Sequence, residues 1–327
     1  MAWTADLEQL FTKRQQIAFN QNMIHSASYR PYSKQQFYCK SDVIERTYQN
    51  PKLFPTLDTK NLLICVAGVG VKKDFSCLIT NCMTDLEIVG KSQCFPLYWY
   101  KDNSETRRKN KQQSLFDEDT VAMKKHDGIS DYILEEAVKK YGSDVTKEDI
   151  FYYVYGYLHS PEYREAFSDD LKLSLPKIEL VDSKDDFDAF SKAGRNLAEL
   201  HTNYENLDPP ESVKISGDID VQDILKNESI CKVTKMRLYQ EDKKVVYNQY
   251  VTVENIPEEA FEYIVNGRSA IGWIVDQYQY KVDKDSGIVN DPNEYAGGSY
   301  ILRLLLSVIT VSVRTMEIVK SLPRLNL

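Results

Sequence analysis

Along the 327 residues the spacing of apolar positions changes period several times. Leu7, Leu10, Phe11, Ile17 and Ala18 recur at helical spacing and predict an opening helix over residues 4–20. Short strand-like runs follow. Residues 23–29 and 37–39 predict two strands joined by Arg30-Pro31-Tyr32-Ser33-Lys34, in which proline presets the φ of a turn. A short helix is expected over residues 42–46, and then a proline-bounded loop over 50–55. Leu62-Leu63-Ile64-Cys65-Val66-Ala67 is a continuous apolar run ahead of Gly68, the pattern of a buried strand. Residues 75–80 and 94–100 predict further strands. From residue 101 to 128 the chain is polar and aperiodic, with Arg107-Arg108-Lys109-Asn110-Lys111 at its centre, and predicts an exposed loop or linker.

Beyond residue 129 helical periodicity takes over. Residues 131–141 predict a helix closed by Gly142. Thr146 with Lys147-Glu148-Asp149 looks like an N-cap with acids in the first turn, opening a helix over 150–159. Ser160-Pro161-Glu162 starts another, with proline in the first turn. Residues 185–204 predict a further helix, ended by Asp208-Pro209-Pro210. Residues 232–239 and 245–253 alternate like an antiparallel pair around Glu241-Asp242-Lys243. Helices over 257–265, 269–280 and 299–321 close the chain. The last holds a strongly apolar run, but Arg303 and Arg314 leave ten residues between them, and a membrane span needs ~20. It predicts a core helix, and no membrane partner is expected. The fold class is therefore α+β. Residues 1–128 form a β-rich part with a preceding helix and a basic loop, and residues 129–327 a helix-rich supporting part with an inserted β-hairpin.

Composition narrows the possibilities without naming one. Apolar residues make up 42% and charged residues 28%, enough for a folded core and too much for a disordered chain. The start, Met-Ala-Trp-Thr-Ala-Asp, has neither a basic nor an apolar signal region, so a cytoplasmic protein is expected. Six cysteines, none spaced as C-x-x-C, read as reduced, buried thiols. Twenty-two tyrosines stand out, many of them in Phe151-Tyr152-Tyr153-Val154-Tyr155-Gly156-Tyr157. On a helix those rings point all round, which favours core packing over base stacking. The net charge of -8 argues against a nucleic-acid partner, yet it is unevenly spread. Residues 1–130 hold 18 Lys/Arg and 14 Asp/Glu, a net of +4, whereas residues 131–327 hold 23 and 35, a net of -12. The basic clusters Arg30/Lys34, Lys72/Lys73, Arg107–Lys111 and Lys124/Lys125 all fall in predicted loops of the positive part, where phosphate-holding side chains usually sit.

Catalytic patterns are incomplete. Val66-Ala67-Gly68-Val69-Gly70-Val71-Lys72-Lys73 follows a buried strand, as a nucleotide or methyl-donor turn does, so that backbone N–H groups can approach a ligand. The third glycine, the acidic partner and a following helix are missing, and Lys72 is followed by Lys73-Asp74 where a phosphate loop needs Ser or Thr. A tight turn accounts for it. Four scattered histidines and the lone Cys77/Cys82 pair lack ligand spacing, and no G-x-S-x-G elbow occurs, so neither metal nor cofactor is expected.

Several strings together resemble one family. Gly68-Val69-Gly70 with Lys73-Asp74-Phe75-Ser76, Gln93-Cys94-Phe95-Pro96-Leu97-Tyr98 and Asp149–Gly156 running into Leu158-His159-Ser160-Pro161-Glu162-Tyr163-Arg164 are similar to the C-terminal specificity domain of type ISP restriction-modification enzymes. Val265–Ile271 and Asp283–Pro292 extend the likeness, which runs from about residue 29 to about 323. The resemblance implies recognition of double-stranded DNA on behalf of upstream regions of one enzyme, namely an adenine methyltransferase and an ATP-dependent translocase and nuclease. It implies no catalysis by this chain, which lacks an Asn-Pro-Pro-Tyr motif and a Lys-Ser/Thr phosphate loop. The competing enzyme reading is an S-adenosylmethionine-dependent methyltransferase fragment using the Gly68–Gly70 turn; a third is a degenerate fragment with a protein-binding role. On the first reading DNA lies against Arg30, Lys34, Lys72, Lys73, Arg107, Arg108, Lys109 and Lys111.

Overall fold

The computed structural model describes residues 5–14, 16–44, 47–102, 123–216, 221–325 and 327. Helix α1 (Ala5–Thr12) is shorter than its apolar spacing predicts. Phe11 and Phe19 remain 72% exposed, and no residue of the predicted face belongs to either core among the described residues, so packing supports a short helix little. Arg14 turns left-handed at φ 50°, and Asn20 instead caps a single 3-10 turn, Gln21–Met23. The helix expected over 42–46 is also corrected: residues 41–43 form a turn, and 45 and 46 lie outside the described residues. The local helix forms later, as α2 (Asn50–Leu53), with Pro51 in its first turn.

The two predicted strands around the proline turn form as β1 (Ile24–Arg30) and β2 (Ser33–Tyr38), an antiparallel hairpin. The apolar run supplies β3 (Leu63–Val66), flanked on both edges by antiparallel partners, β4 (Cys77–Thr80) and β6 (Gln93–Pro96). Between the last two, β5 (Met83–Thr84) adds to β1 in parallel. The single strand expected over 94–100 breaks at Leu97, and β7 (Tyr98–Asp102) turns away to pair with β8 (Met123–Asp127). Lys124 and Lys125 therefore stand on a strand, where a loop was expected. The tertiary partner overrides a weak local pattern.

The middle of the chain follows its caps. Ser130 and Gly142 bracket α3 (Asp131–Tyr141), and Thr146 with Asp149 closes a reciprocal capping box on α4 (Lys147–Tyr157). Ser160 caps α5 (Pro161–Ala166), α6 (Asp170–Leu173) follows, and Ser183 opens α7 (Lys184–Thr202). In the last third the expected hairpin widens to four strands, in the order β10 (Arg237–Tyr239), β11 (Lys244–Val246), β12 (Thr252–Glu254) and β9 (Lys214–Ile215). The strand expected over 245–253 breaks because Asn248 Oδ1 accepts the N–H groups of Tyr250 and Val251, both at 2.8 Å, and turns the chain. Short helices α8 (Val221–Leu225) and α9 (Glu228–Cys231) precede this sheet. The helix expected over 257–265 shrinks to α10 (Glu259–Glu262), since Asn266-Gly267 draws its end into a hairpin of β13 (Ile264–Val265) and β14 (Arg268–Ser269). Then come α11 (Ala270–Gln277), the hairpin β15 (Lys281–Val282) and β16 (Val289–Asn290), α12 (Pro292–Tyr295) and the long α13 (Gly298–Lys320).

β3 explains why its sequence has no polar face. Leu63 and Cys65 enter one core with Tyr263, Ile271 and the α13 residues Leu304, Leu305 and Val308. Ile64 and Val66 enter a second with Phe151, Tyr153, Phe187 and Leu197. A strand covered on both faces reads as a continuous apolar run. Within α13, Ser307 and Thr310 donate to the carbonyls of Tyr204 and Asp208 at 2.6 Å, so hydroxyls inside the apolar helix satisfy the loop that follows α7. No described helix is long and apolar enough to cross a membrane.

In the second core, α4 and α7 cross backbone to backbone. A Cβ on Gly156 would lie 2.1 Å from the carbonyl oxygen of Phe190, and one on Gly194 would lie 1.8 Å from that of Tyr152. A polar seam joins the two cores. Tyr155 OH donates to His201 Nδ1 at 2.6 Å, and His201 Nε2 donates at 2.8 Å to Thr315 Oγ1, whose own proton goes to the Val311 carbonyl. His201 stacks on Tyr263 at 5.5 Å, and Tyr263 shares a hydroxyl bond of 2.9 Å with Tyr32. Burial, with the nearby Arg164 charge, pushes the His201 pKa down to about 3. Burial also holds His159 well below its ordinary value, with Arg164 and His201 adding to the effect.

Two outcomes follow from this packing. Gly194→Ala is expected to destabilise the fold by ~3 kcal/mol or more, against the ~1 kcal/mol that alanine gains in an open helix, and a urea midpoint measures it. Both histidines are neutral when folded and bind a proton when unfolded below about pH 6.5. Their stabilisation is thus complete above pH 6.5 and falls away with acid, that of His201 as pH falls towards about 3. Going from pH 7 to pH 5 should cost about 2 kcal/mol from His201 alone, read from denaturant curves at the two pH values. A flat profile over that window would contradict the burial of the neutral ring.

Candidate nucleic-acid interface

The turn between β1 and β2 is built on Pro31 and on Tyr32, which takes a left-handed φ of 57°. Its ring is buried edge-on against Tyr204 (5.1 Å), and its hydroxyl reaches Tyr263. The two flanking cations are thereby held at the surface with carboxylate partners. Arg30 Nη1 lies 2.9 Å from Asp85 Oδ1, with its guanidinium 4.2 Å above the Tyr29 ring. Lys34 Nζ lies 2.6 Å from Glu205 Oε2, above the Tyr204 ring. Burial pushes the Glu205 pKa up, but hydrogen bonds from Lys34 and from Tyr300 outweigh it and keep the carboxyl below its ordinary value. Phosphate at either cation would compete with a formed ion pair.

Beside this turn, β2 borders a groove of about 870 Å³ lined by Ser26, Gln35, Gln36, Tyr278, Asn290 and Tyr295, among others. Its amides and hydroxyls are the groups that can donate to and accept from base edges. The sequence showed Gln35 and Gln36 only as polar positions, and nothing local pairs them with residues 278–300.

The Gly68–Lys73 segment is the tight turn its sequence predicts. Gly68 admits no side chain, since a Cβ would lie 2.0 Å from the Lys91 carbonyl oxygen, and Gly70 has a φ of 77°. The N–H groups that a cofactor turn would offer are already used: Ala67 donates to Ser76, Gly68 to Gly90 and Gly70 to Lys172, at 2.9, 3.0 and 3.0 Å. The strand before it has antiparallel neighbours on both sides, unlike a dinucleotide fold. The turn does bring cations together. Lys72 is exposed, and Lys73 Nζ donates to the Asn266 carbonyl at 2.9 Å and lies 5.9 Å from the Trp273 ring centroid. Lys91 Nζ reaches the Gly70 carbonyl, and the Arg268 guanidinium sits 5.2 Å from Trp273 while pairing with Asp276. Sequence reasoning missed Lys91 and Arg268. The Asn266-Gly267 dipeptide, a strong hairpin signal, could have placed Arg268 on a turn.

Arg107, Arg108, Lys109 and Lys111 lie outside the described residues. They connect β7 to β8, whose five residue pairs run from Tyr98–Asp127 to Asp102–Met123. Among the described residues no group of three or more His, Cys, Asp or Glu could hold a metal. All six cysteines are free. Burial pushes the Cys77 thiol up although Arg164 Nη2 sits 3.3 Å away, so it is a poor nucleophile.

Residues 1–304 match the family described as the type ISP C-terminal specificity domain. Over its whole length the chain is similar to the ATP-dependent type ISP restriction-modification enzyme LlaBIII bound to DNA, at 36% identity and a TM-score of 0.81. It is also 36% identical, over 98% of its length and with a TM-score of 0.77, to a nuclease-deletion mutant of the type ISP enzyme LlaGI in complex with a DNA substrate mimic. A DrdV–DNA complex matches over 99% of the chain at 25% identity and a TM-score of 0.80. The chain spans 20%, 27% and 31% of those three proteins. No curated protein matches it.

The close approach at Gly68 carries a prediction of its own. Gly68→Ala is expected to lower the melting temperature by several degrees, because the Lys91 carbonyl must move and the Gly68–Gly90 hydrogen bond breaks. An unchanged Tm would show that the two loops are not packed as described.

Proposed function

The chain belongs to the family of type ISP C-terminal specificity domains, and from that premise we propose that it recognises a short asymmetric sequence in double-stranded DNA. On this reading it serves methyltransferase, translocase and nuclease regions of the same enzyme and has no catalysis of its own. The observation that carries the reading is the shared fold over 98–100% of the chain with two type ISP restriction-modification enzymes, one bound to DNA and one in complex with a DNA substrate mimic, and with a DrdV–DNA complex. Polar side chains of the groove beside β2 suit base edges, and Lys72, Lys73 and Lys91 suit phosphates, which position a protein without reading sequence. The rival methyl-donor site is disfavoured by the occupied N–H groups of the Gly68–Gly70 turn.

The test is selection of bound duplexes from a random pool by the full chain at 50 mM salt. Enrichment of one asymmetric motif is expected; recovery of unenriched sequence would overturn the reading. S-adenosylmethionine should leave the melting temperature unchanged, and a clear rise would favour the methyltransferase alternative. Changing Arg107, Arg108, Lys109 and Lys111 together to Ser should weaken target and random duplexes equally, with the salt slope falling by ~0.9 for each phosphate no longer held. Unchanged affinity for both would remove that segment from the interface.

A further inference from the structure

The ribbon of β7 and β8 has two unlike faces. Side chains alternate along each strand. Tyr98 with Asp127 and Tyr100 with Lys125 therefore share one face, and Trp99 with His126 and Lys101 with Lys124 share the other. On the first face Lys125 Nζ lies 3.2 Å from the centroid of the Tyr98 ring, and Asp127 pairs with Lys147 at 2.8 Å. The second face carries two ammonium groups and no carboxylate. Lys101 and Lys124 are exposed, stand directly opposite each other, and make no ion pair or hydrogen bond among the described residues.

Like charges placed directly across an antiparallel pair weaken it. This ribbon tolerates them because its base is fixed to the body. Trp99 stacks on His126 at 4.3 Å and 15°, and its Nε1 donates to the Asp127 carbonyl at 3.1 Å. Asn61 bonds both the N–H and the C=O of Tyr98, at 3.1 and 2.7 Å. Lys147 bridges Asp127 and Asp131, and Gly128 packs so closely on the Pro96 carbonyl that a Cβ would lie 1.8 Å from it. The two lysines are thus carried by a rigid support, with no partner among the described residues. The Nε2 of His126, on the same face, is shielded from solvent and has no hydrogen-bond partner among the described residues.

We propose that this face of the ribbon holds the backbone of duplex DNA, with a phosphodiester seated between Lys101 and Lys124. The proposal rests on the reading of the chain as a DNA-recognition module and adds to it a site outside the predicted clusters. An oxyanion between the two ammonium groups removes their repulsion, so the energy that destabilises the free ribbon is recovered on binding. A phosphate contact carries no base information, and removing it affects all sequences alike.

The experiment uses the full chain, with fluorescence anisotropy on its selected duplex and on a random duplex between 50 and 200 mM salt. Lys101→Ser with Lys124→Ser should lower the slope of log K against log salt by ~0.9, the share of the one phosphate no longer held. Affinity should fall by the same factor for both duplexes. Lys124→Glu, which sets a carboxylate opposite Lys101, should raise the melting temperature and weaken binding further, separating binding from folding. Lys192→Ser, on the exposed side of α7, should leave the slope unchanged. If the unmodified chain binds and the double variant keeps its slope, the ribbon is not in the interface and the recognition reading stands. Loss of discrimination between the duplexes would instead mean that the lysines read bases, which overturns the phosphate assignment. Failure of the unmodified chain to bind any duplex at 50 mM salt would overturn the recognition reading and the ribbon's role together.

Discussion

Leu63–Val66 is hydrogen-bonded along both edges and covered on both faces, and each of its neighbours is placed by that enclosure. Its alternate residues belong to different cores, so the core around α13 and the core around α4 and α7 cannot move independently. The seam from Tyr155 through His201 to Thr315, with Tyr263 and Tyr32 beside it, crosses the same boundary in polar form. Buried polar groups are costly unless paired, and here each hydroxyl and ring nitrogen of the His201 chain has a partner. Residues from both sides of position 128 contribute to each core.

That arrangement bears directly on the proposed recognition of DNA. A surface that reads DNA must be stiff, since ordering loops on binding costs affinity. The β1–β2 turn is anchored by a buried Tyr32, the Gly68 turn by close approach to Lys91, and the ribbon by Asn61 and Lys147 at its base. All three anchors lie beneath cations. The exposed charges also differ in kind. Arg30 and Lys34 are paired with Asp85 and Glu205. Lys72, Lys101 and Lys124 have no such partner among the described residues. A negative protein can bind a polyanion when its free cations are gathered on one face and its acids are spent elsewhere, and salt dependence then reports the number of free ones engaged.

Local signals were sufficient wherever one residue or one short pattern decides the outcome. Capping residues placed the starts of α4 and α5 because an N-cap satisfies orphan N–H groups within its own turn. The unbroken apolar run marked β3, the glycines marked a turn, and the tyrosines of α4 were legible as core. The unusual strings that resemble one family pointed to a specificity domain before any coordinate was known. Where the sequence misled, a distant partner had intervened. Helix periodicity before residue 20 joined neither core among the described residues, the 94–100 strand divided between two sheets, and Asn266-Gly267 turned the end of an expected helix into a hairpin.

By itself, then, the sequence determined the α+β class, most of the helix boundaries in the middle third, the tight glycine turn and the uneven division of charge. Each of these depends on contacts within a few residues or on composition. Only the tertiary structure decided which lysines are free and which are paired, because Glu205 meets Lys34 across 171 positions and Asp85 meets Arg30 across 55. It alone set Lys101 opposite Lys124, since the strand register follows from pairing across an intervening segment of chain. It alone brought Arg268 beside Lys73, 195 positions apart, over one tryptophan ring. Electrostatic energy falls with distance in space, and the chain's order gives no measure of that distance.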